Sequence, residues 1–264
     1  VPPASSTLRQ ITKTPQVIEQ IKARALKGFS PSALTTYIRN PIDFYNRYVL
    51  GVGEADDVEE TIAYNTLGTV VHDTLEKLYE PFKKEILNVN SIAKMKSLSV
   101  ARITREFTHT YSKTSLDTGK NLLIFEVAKR YVDNFLNLEL DRIQSGEDIQ
   151  IVDLEADLHV ELNMPNIPFT VNLRGQVDRV DITNGVKRII DYKTGKVEHK
   201  HVIVKDWEDI TTDYDKYSKA FQILQYAYMM HLEKPFTESI EAGIISFKNL
   251  RNGFLPFKFN KEAS

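Results

Sequence analysis

The sequence has no cysteine and one tryptophan among its 264 residues. Without cysteine there is no disulfide and no thiolate-bound metal, and a reducing, cytoplasmic setting is expected. Strong charge of one sign is also missing: 34 Lys and Arg against 36 Asp and Glu leave a net charge of −2. That is too little to hold a polyanion by bulk positive charge, though it leaves room for an enzyme that gathers carboxylates around a metal. No apolar run approaches the ~18 residues that a membrane span requires, and no signal-peptide pattern opens the sequence, so no membrane partner is expected. Internal repeats and low-complexity tracts are lacking too. A sequence that opens on Val1-Pro2-Pro3 is expected to be a piece of a longer polypeptide.

What is present is an ordinary globular composition, 42% hydrophobic and 27% charged, long enough for one sizeable core. Residues 1–28 read as an arm or linker with an amphipathic stretch from Pro15 to Lys27. Residues 29–264 read as one domain, with a helical part over 29–145 and an α/β part over 146–264. Ser30-Pro31 is a helix start, with Ser30 as N-cap and Pro31 at the first helical position. Asn40-Pro41 ends or bends that helix, and Gly51 to Glu60 is an acidic loop. A helix is expected from Leu67 to Phe82, since Leu67, Val71, Leu75, Leu78 and Phe82 share one stripe. Two more are expected within 91–112 and 119–143. The period then changes. Val152, Leu154, Ala156, Leu158, Val160 and Leu162 alternate with polar residues, the pattern of a half-buried strand. Strands at 169–182 and 186–193, a helix at 217–232 and a strand at 239–247 follow. Helices first and then β-β-β-α-β give an α/β fold with one central sheet.

Chemistry concentrates in Gly175-Gln176-Val177-Asp178-Arg179-Val180-Asp181 and Ile189-Ile190-Asp191-Tyr192-Lys193-Thr194-Gly195. Asn184-Gly185 between them signals a two-residue type I′ hairpin. That turn sets Asp178 opposite Asp191, with Cβ atoms about 4.5–5.5 Å apart. Lys193, two residues on, projects from the same face as Asp191. Paired carboxylates repel unless a cation lies between them, and a hard divalent ion takes oxygen ligands. Such an ion polarises a phosphoryl oxygen and activates water, while a neighbouring lysine stabilises developing charge. Asp181 falls opposite Arg188 as a surface pair. Polar positions switch from even to odd after Asp178, where a bulge could sit. Asp and Lys two apart in a strand are common on their own, so this segment alone leaves a metal site and a plain charged face both open.

These segments resemble the PD-(D/E)XK nuclease superfamily, specifically its RecB-like, AddB-type branch of bacterial helicase–nuclease enzymes. The likeness extends over about residues 29–247, through Phe29-Ser30-Pro31-Ser32-Ala33-Leu34, Gly68-Thr69-Val70-Val71-His72, the two strand segments, and Gln222-Ile223-Leu224-Gln225-Tyr226 in the family's order. The resemblance implies a restriction-endonuclease-like α/β fold, a central mixed sheet flanked by helices with an N-terminal helical region. It implies Mg²⁺ or Mn²⁺ held by His72, Asp178, Asp191 and the carbonyl of Tyr192, with Lys193 as the catalytic lysine. Gln222 and Tyr226, four apart on one helical face, would line the site or contact DNA. The implied activity is hydrolysis of DNA, as an exonuclease acting on single strands or duplex ends, inside a longer parent chain or beside a helicase partner. A nuclease fold that only binds DNA or braces a helicase is the alternative, and loss of Asp178, Asp191 or Lys193 would be its signature. Many relatives carry a cysteine where Asn40 stands and three more near the C-terminus, so no iron–sulfur cluster is expected here. His199 and His201 read as a solvated loop, Glu155 as either a solvated strand charge or the strand glutamate that recurs at about this place in the family, and Trp207 as a loop anchor that could stack on a base.

Overall fold

The computed structural model describes residues 10–52, 64–110 and 119–260. Most of the acidic loop read at 51–60, and the Pro- and Ser-rich start of the chain, lie outside these residues. The chain opens on α1 (Pro15–Lys27), α2 (Pro31–Arg39) and α3 (Pro41–Phe44), the last running into a π turn over Tyr45–Val49. Ser30 caps α2 by accepting from the Ala33 N–H, and Asn40 ends α2 while its side chain caps α3. Three longer helices follow: α4 (Tyr64–Tyr79), α5 (Val89–Thr110) and α6 (Gly119–Gln144). The sheet elements are β1 (Ile149–Leu162), β2 (Val171–Thr183), β3 (Val186–Lys193), the short β4 (Ile203–Val204), β5 (Ile240–Ser246), β6 (Phe254–Pro256) and β7 (Lys258–Phe259). Between β4 and β5 stand α7 (Asp209–Thr212) and α8 (Tyr214–Glu233).

The main sheet has the order β1-β2-β3-β5-β6, and β4 pairs with β7 in a separate two-stranded ribbon. Strands β1, β2 and β3 are antiparallel, β3 and β5 parallel, β5 and β6 antiparallel, so the sheet is mixed. Strand β3 buries alternate residues on opposite faces. Ile190 packs with Val71, Leu75, Ile92 and Phe135 of α4–α6, whereas Ile189 packs with Tyr226 and Met229 of α8 and with Phe29 and Ala33. The sheet is therefore flanked by helices on both sides.

The hairpin forms in the expected register. Asn184 and Gly185 both take positive φ, 49° and 81°, as a type I′ turn requires, and Thr183 pairs with Val186. The bulge lies elsewhere than the polarity switch suggested: the register shifts on β1, between Ile151 and Asp153, while β2 runs on without an inserted residue. Asp181 and Arg188 also differ from the surface pair expected. Both are buried, bonded through two contacts of 2.8 Å. Arg179 adds a 2.7 Å contact to Asp181 and a 3.0 Å contact to Glu139, and Arg142 bridges Glu139 to Glu147. Three guanidiniums thus meet three carboxylates, and this electrical balance is what lets so many charges leave water. The polar switch after Asp178 marks this buried network.

Candidate active site

The site opens where the sheet splits. The last rung between β2 and β3 is Arg179 with Ile190, one step short of Asp178 and Asp191. Beyond it the Tyr192 N–H donates to the Asp178 carboxylate in place of a ladder bond. On the other side the β1 ladder skips Glu155, opposite Asp178, and Glu155 takes a φ of 45°, a strained value for a side chain other than glycine. Helix α4 brings His72 over this gap, its Nδ1 3.3 Å from Asp178 Oδ1. The Tyr192 ring meets the His72 imidazole edge-on at 5.8 Å and is itself wedged against Phe135 and Phe247. Tyr192 therefore fixes the imidazole with its ring and Asp178 with its backbone.

One ligand atom each from His72, Glu155 and Asp178 lies within 4.8 Å of the others. Asp191 stands beside them, buried, with Lys193 Nζ 2.7 Å from its Oδ2. The electrostatics agree with an assembly short of positive charge. Burial and the nearby Asp178 carboxylate push the Glu155 carboxyl up to about 8. Burial and Asp178 hold Asp191 up at about 6 against the pull of Lys193. Burial disfavours charge on His72 and on Lys193, but the surrounding carboxylates outweigh it and raise both above their ordinary values. An imidazole and clustered, partly buried carboxylates are a donor set that fits a hard divalent cation.

Helix α8 closes the site from the other face. Gln222 donates to the Tyr226 hydroxyl at 2.8 Å, and burial with the Asp191, Asp178 and Glu155 carboxylates raises that phenol above its usual range. The accepted bond leaves the phenolic hydrogen free to donate onward. Gly175 makes room for this ring, since a Cβ there would stand 2.8 Å from it. Lys219, one turn before Gln222, is half-buried, and its ammonium is disfavoured by burial and by Lys193.

All the side chains expected in the site thus gather at one place, with two additions. The sequence leaves Glu155 open between a solvated charge and a site glutamate, because strand periodicity cannot reveal the kink that turns it inward. Lys219 sits at helical spacing from Gln222, and that spacing is the signal for it in the sequence. His199 and His201 stay apart: His201 Nδ1 accepts the Glu198 N–H within a short 3-10 turn. Trp207 is exposed and stacks on Phe259 at 4.5 Å.

The crowding of carboxylates has a measurable consequence. From about pH 4.5 to about 8 the folded metal-free protein keeps the Glu155 proton that the unfolded chain has lost, so stability falls as pH rises through that window. Glu155→Gln should remove the effect. Discounted for solvent, it amounts to ~1–2 kcal/mol, or roughly 3–6 °C at pH 8 in a chain of this size. Thermal melts in chelator should show the variant's advantage shrinking toward pH 4.5, and a difference flat with pH would refute this.

The sequence profile of the PD-(D/E)XK nuclease superfamily matches residues 28–258, and the chain belongs to that superfamily. An uncharacterised protein of Rickettsia conorii is 24% identical over 66% of this chain and 20% of its own length. An ATP-dependent helicase/deoxyribonuclease subunit of Streptococcus agalactiae is 25% identical over 62% of this chain and 14% of its own. The chain therefore spans a fifth or less of the length of these curated relatives. The crystal structure of protein VC1899 from Vibrio cholerae aligns with 92% of this chain and 50% of that one, at 13% identity and a TM-score of 0.23.

Proposed function

We propose that this member of the PD-(D/E)XK nuclease superfamily is an active, metal-dependent DNA nuclease that hydrolyses phosphodiester bonds with Mg²⁺ or Mn²⁺. The observation that carries the reading is the meeting of His72, Glu155 and Asp178 within 4.8 Å, with the Asp191–Lys193 pair beside them. His72, Asp178, Asp191, Glu155 and the Tyr192 carbonyl would hold the cation. When bound, it would supply Lewis acidity at a phosphoryl oxygen and a hydrolytic water of lowered pKa. The protein's own groups do the rest. Lys193, kept charged by Asp191 and Asp178, offers an ammonium to the charge that grows on phosphate oxygens. Tyr226, oriented by Gln222, offers a second donor from the opposite wall. Retention of Asp178, Asp191 and Lys193 favours this reading over a module that only binds DNA.

The Streptococcus relative's name, which describes a helicase/deoxyribonuclease, supports placement in a larger helicase–nuclease or repair protein, for which we propose a cytoplasmic setting. Among the described residues no helix is long and apolar enough to cross a membrane. Exonuclease action on DNA ends is the form of cleavage we propose.

The test is incubation of end-labelled single- and double-stranded DNA with Mg²⁺, with Mn²⁺ and with EDTA. Cleavage from the ends should appear with either metal and stop in EDTA, while the far-ultraviolet circular dichroism stays unchanged. A catalytic cation adds to a preformed fold, whereas a structural one contributes folding free energy. Absence of cleavage with every metal would overturn the proposal.

A further inference from the structure

Away from the active site Arg24 lies beside Arg174, and Arg47 shares the Tyr48 ring with Arg24. Beyond the fork in the sheet, the edge of β2 is taken by Phe29, whose N–H donates to the Asn172 carbonyl at 2.8 Å while the Arg174 N–H donates back at 3.0 Å. This lays the end of α1 along β2, so closely that a Cβ on Gly28 would stand 3.4 Å from the Arg174 stem. Arg24 of α1 and Arg47 of the π turn both approach the Tyr48 ring, at 5.6 and 5.7 Å from its centre. Among the described residues no carboxylate lies within 4.0 Å of Arg24, Arg47 or Arg174, whereas Arg142 and Arg179 each have two and Arg188 has one. Arg24 Nε and Nη2 are buried and donate no hydrogen bond.

A guanidinium with buried N–H groups and no acceptor is costly, and a second one beside it adds repulsion. Burial and the Arg174 charge together depress Arg24 below the usual arginine value. Arg47 and Arg174 are exposed, so an incoming anion reaches the cluster. Guanidinium forks match phosphate oxygens, two bonds at a time.

Resting on the nuclease reading, we propose that Arg24, Arg47 and Arg174 form a phosphate-binding subsite that grips the backbone of the nucleic-acid strand being cut. Arg174 is four residues from Asp178 along β2, about 13 Å at ~3.3 Å per residue. With ~3.4 Å per nucleotide in a stacked strand, the gripped phosphate lies about four nucleotides from the bond that is cleaved. The subsite reads charge and spacing and carries no base preference.

The test is fluorescence anisotropy of labelled 12-mers, single-stranded and duplex, in EDTA so that nothing is cut. Arg47→Ala/Arg174→Ala, both at exposed positions, is compared with the wild type across a salt series, with circular dichroism as the folding control. Each lost contact should weaken binding ~10-fold and flatten the slope of log K against log salt by ~0.7 on single strands and ~0.9 on duplex. Arg24→Lys, which keeps charge without the fork, should fall between. Equal affinity and slope for the double variant and wild type, or no oligonucleotide binding by the wild type, would overturn the proposal. Arginine-dependent binding by a protein that never cleaves would instead sink the nuclease reading and leave this subsite standing.

Discussion

Asp191→Ala is expected to lose metal binding and DNA cleavage together, with no measurable heat in a Mn²⁺ titration and a rate lower by more than ~10³. Asp191 is the buried carboxylate near the end of β3 whose Oδ2 faces the Lys193 ammonium at 2.7 Å. Its elevated value, about 6, says that the folded protein holds this charge at a cost when no cation is present. In the proposed centre a bound cation shares that carboxylate with Lys193, so deletion of the carboxylate removes a strong ligand and not merely a neighbour. The variant should stay folded, because the packing that anchors this strand comes from Ile189, Ile190 and Tyr192, not from Asp191. Asp178→Ala is a less clean test. Asp178 also accepts the Tyr192 N–H and lies against His72, so its loss loosens the frame as well as the ligand set. If Asp191→Ala binds Mn²⁺ and cuts DNA, the assigned centre is wrong.

Much of this is legible in the sequence, for local reasons. The Asn184-Gly185 turn has one low-strain geometry, and that geometry fixes the register bringing Asp178 level with Asp191. Ser30-Pro31 and Asn40-Pro41 set helix ends through capping and the constraints of proline. What escaped depends on distant parts of the chain. Glu155 turns inward because β1 shifts register at Val152 and the backbone reverses sign at Glu155, events set by the neighbouring strand. The Asp181–Arg188 pair is buried because α6 delivers Glu139 to Arg179 from forty residues away in sequence. The short strands β4, β6 and β7 carry too few residues to show a period at all. Function was legible where residue types are scarce and paired, and illegible where an ordinary glutamate or arginine acquires its role from burial.

Lys193→Ala should separate rate from metal. The ammonium lies 2.7 Å from Asp191 Oδ2, inside the group of carboxylates that would surround the cation. Removing it takes away one positive charge that competes with the cation for Asp191, so Mn²⁺ should bind at least as tightly at pH 8. At lower pH the sign reverses. Lys193 pulls Asp191 down from the value that burial would impose, and without it the carboxyl keeps its proton to higher pH and cedes it less readily to a metal. Titrations at pH 6 and pH 8 should therefore diverge for the variant more than for the wild type. Cleavage should fall by ~10²–10³ at both, the usual loss when one preorganised electrostatic donor is taken from a site where charge develops. Lys193→Arg retains charge, but its planar fork replaces a compact point charge, and it should recover only part of that loss. Single-turnover cleavage beside calorimetry on the same preparations gives both readings. Wild-type cleavage by Lys193→Ala would remove the lysine from the mechanism, and loss of Mn²⁺ binding at pH 8 would make it a structural partner of Asp191.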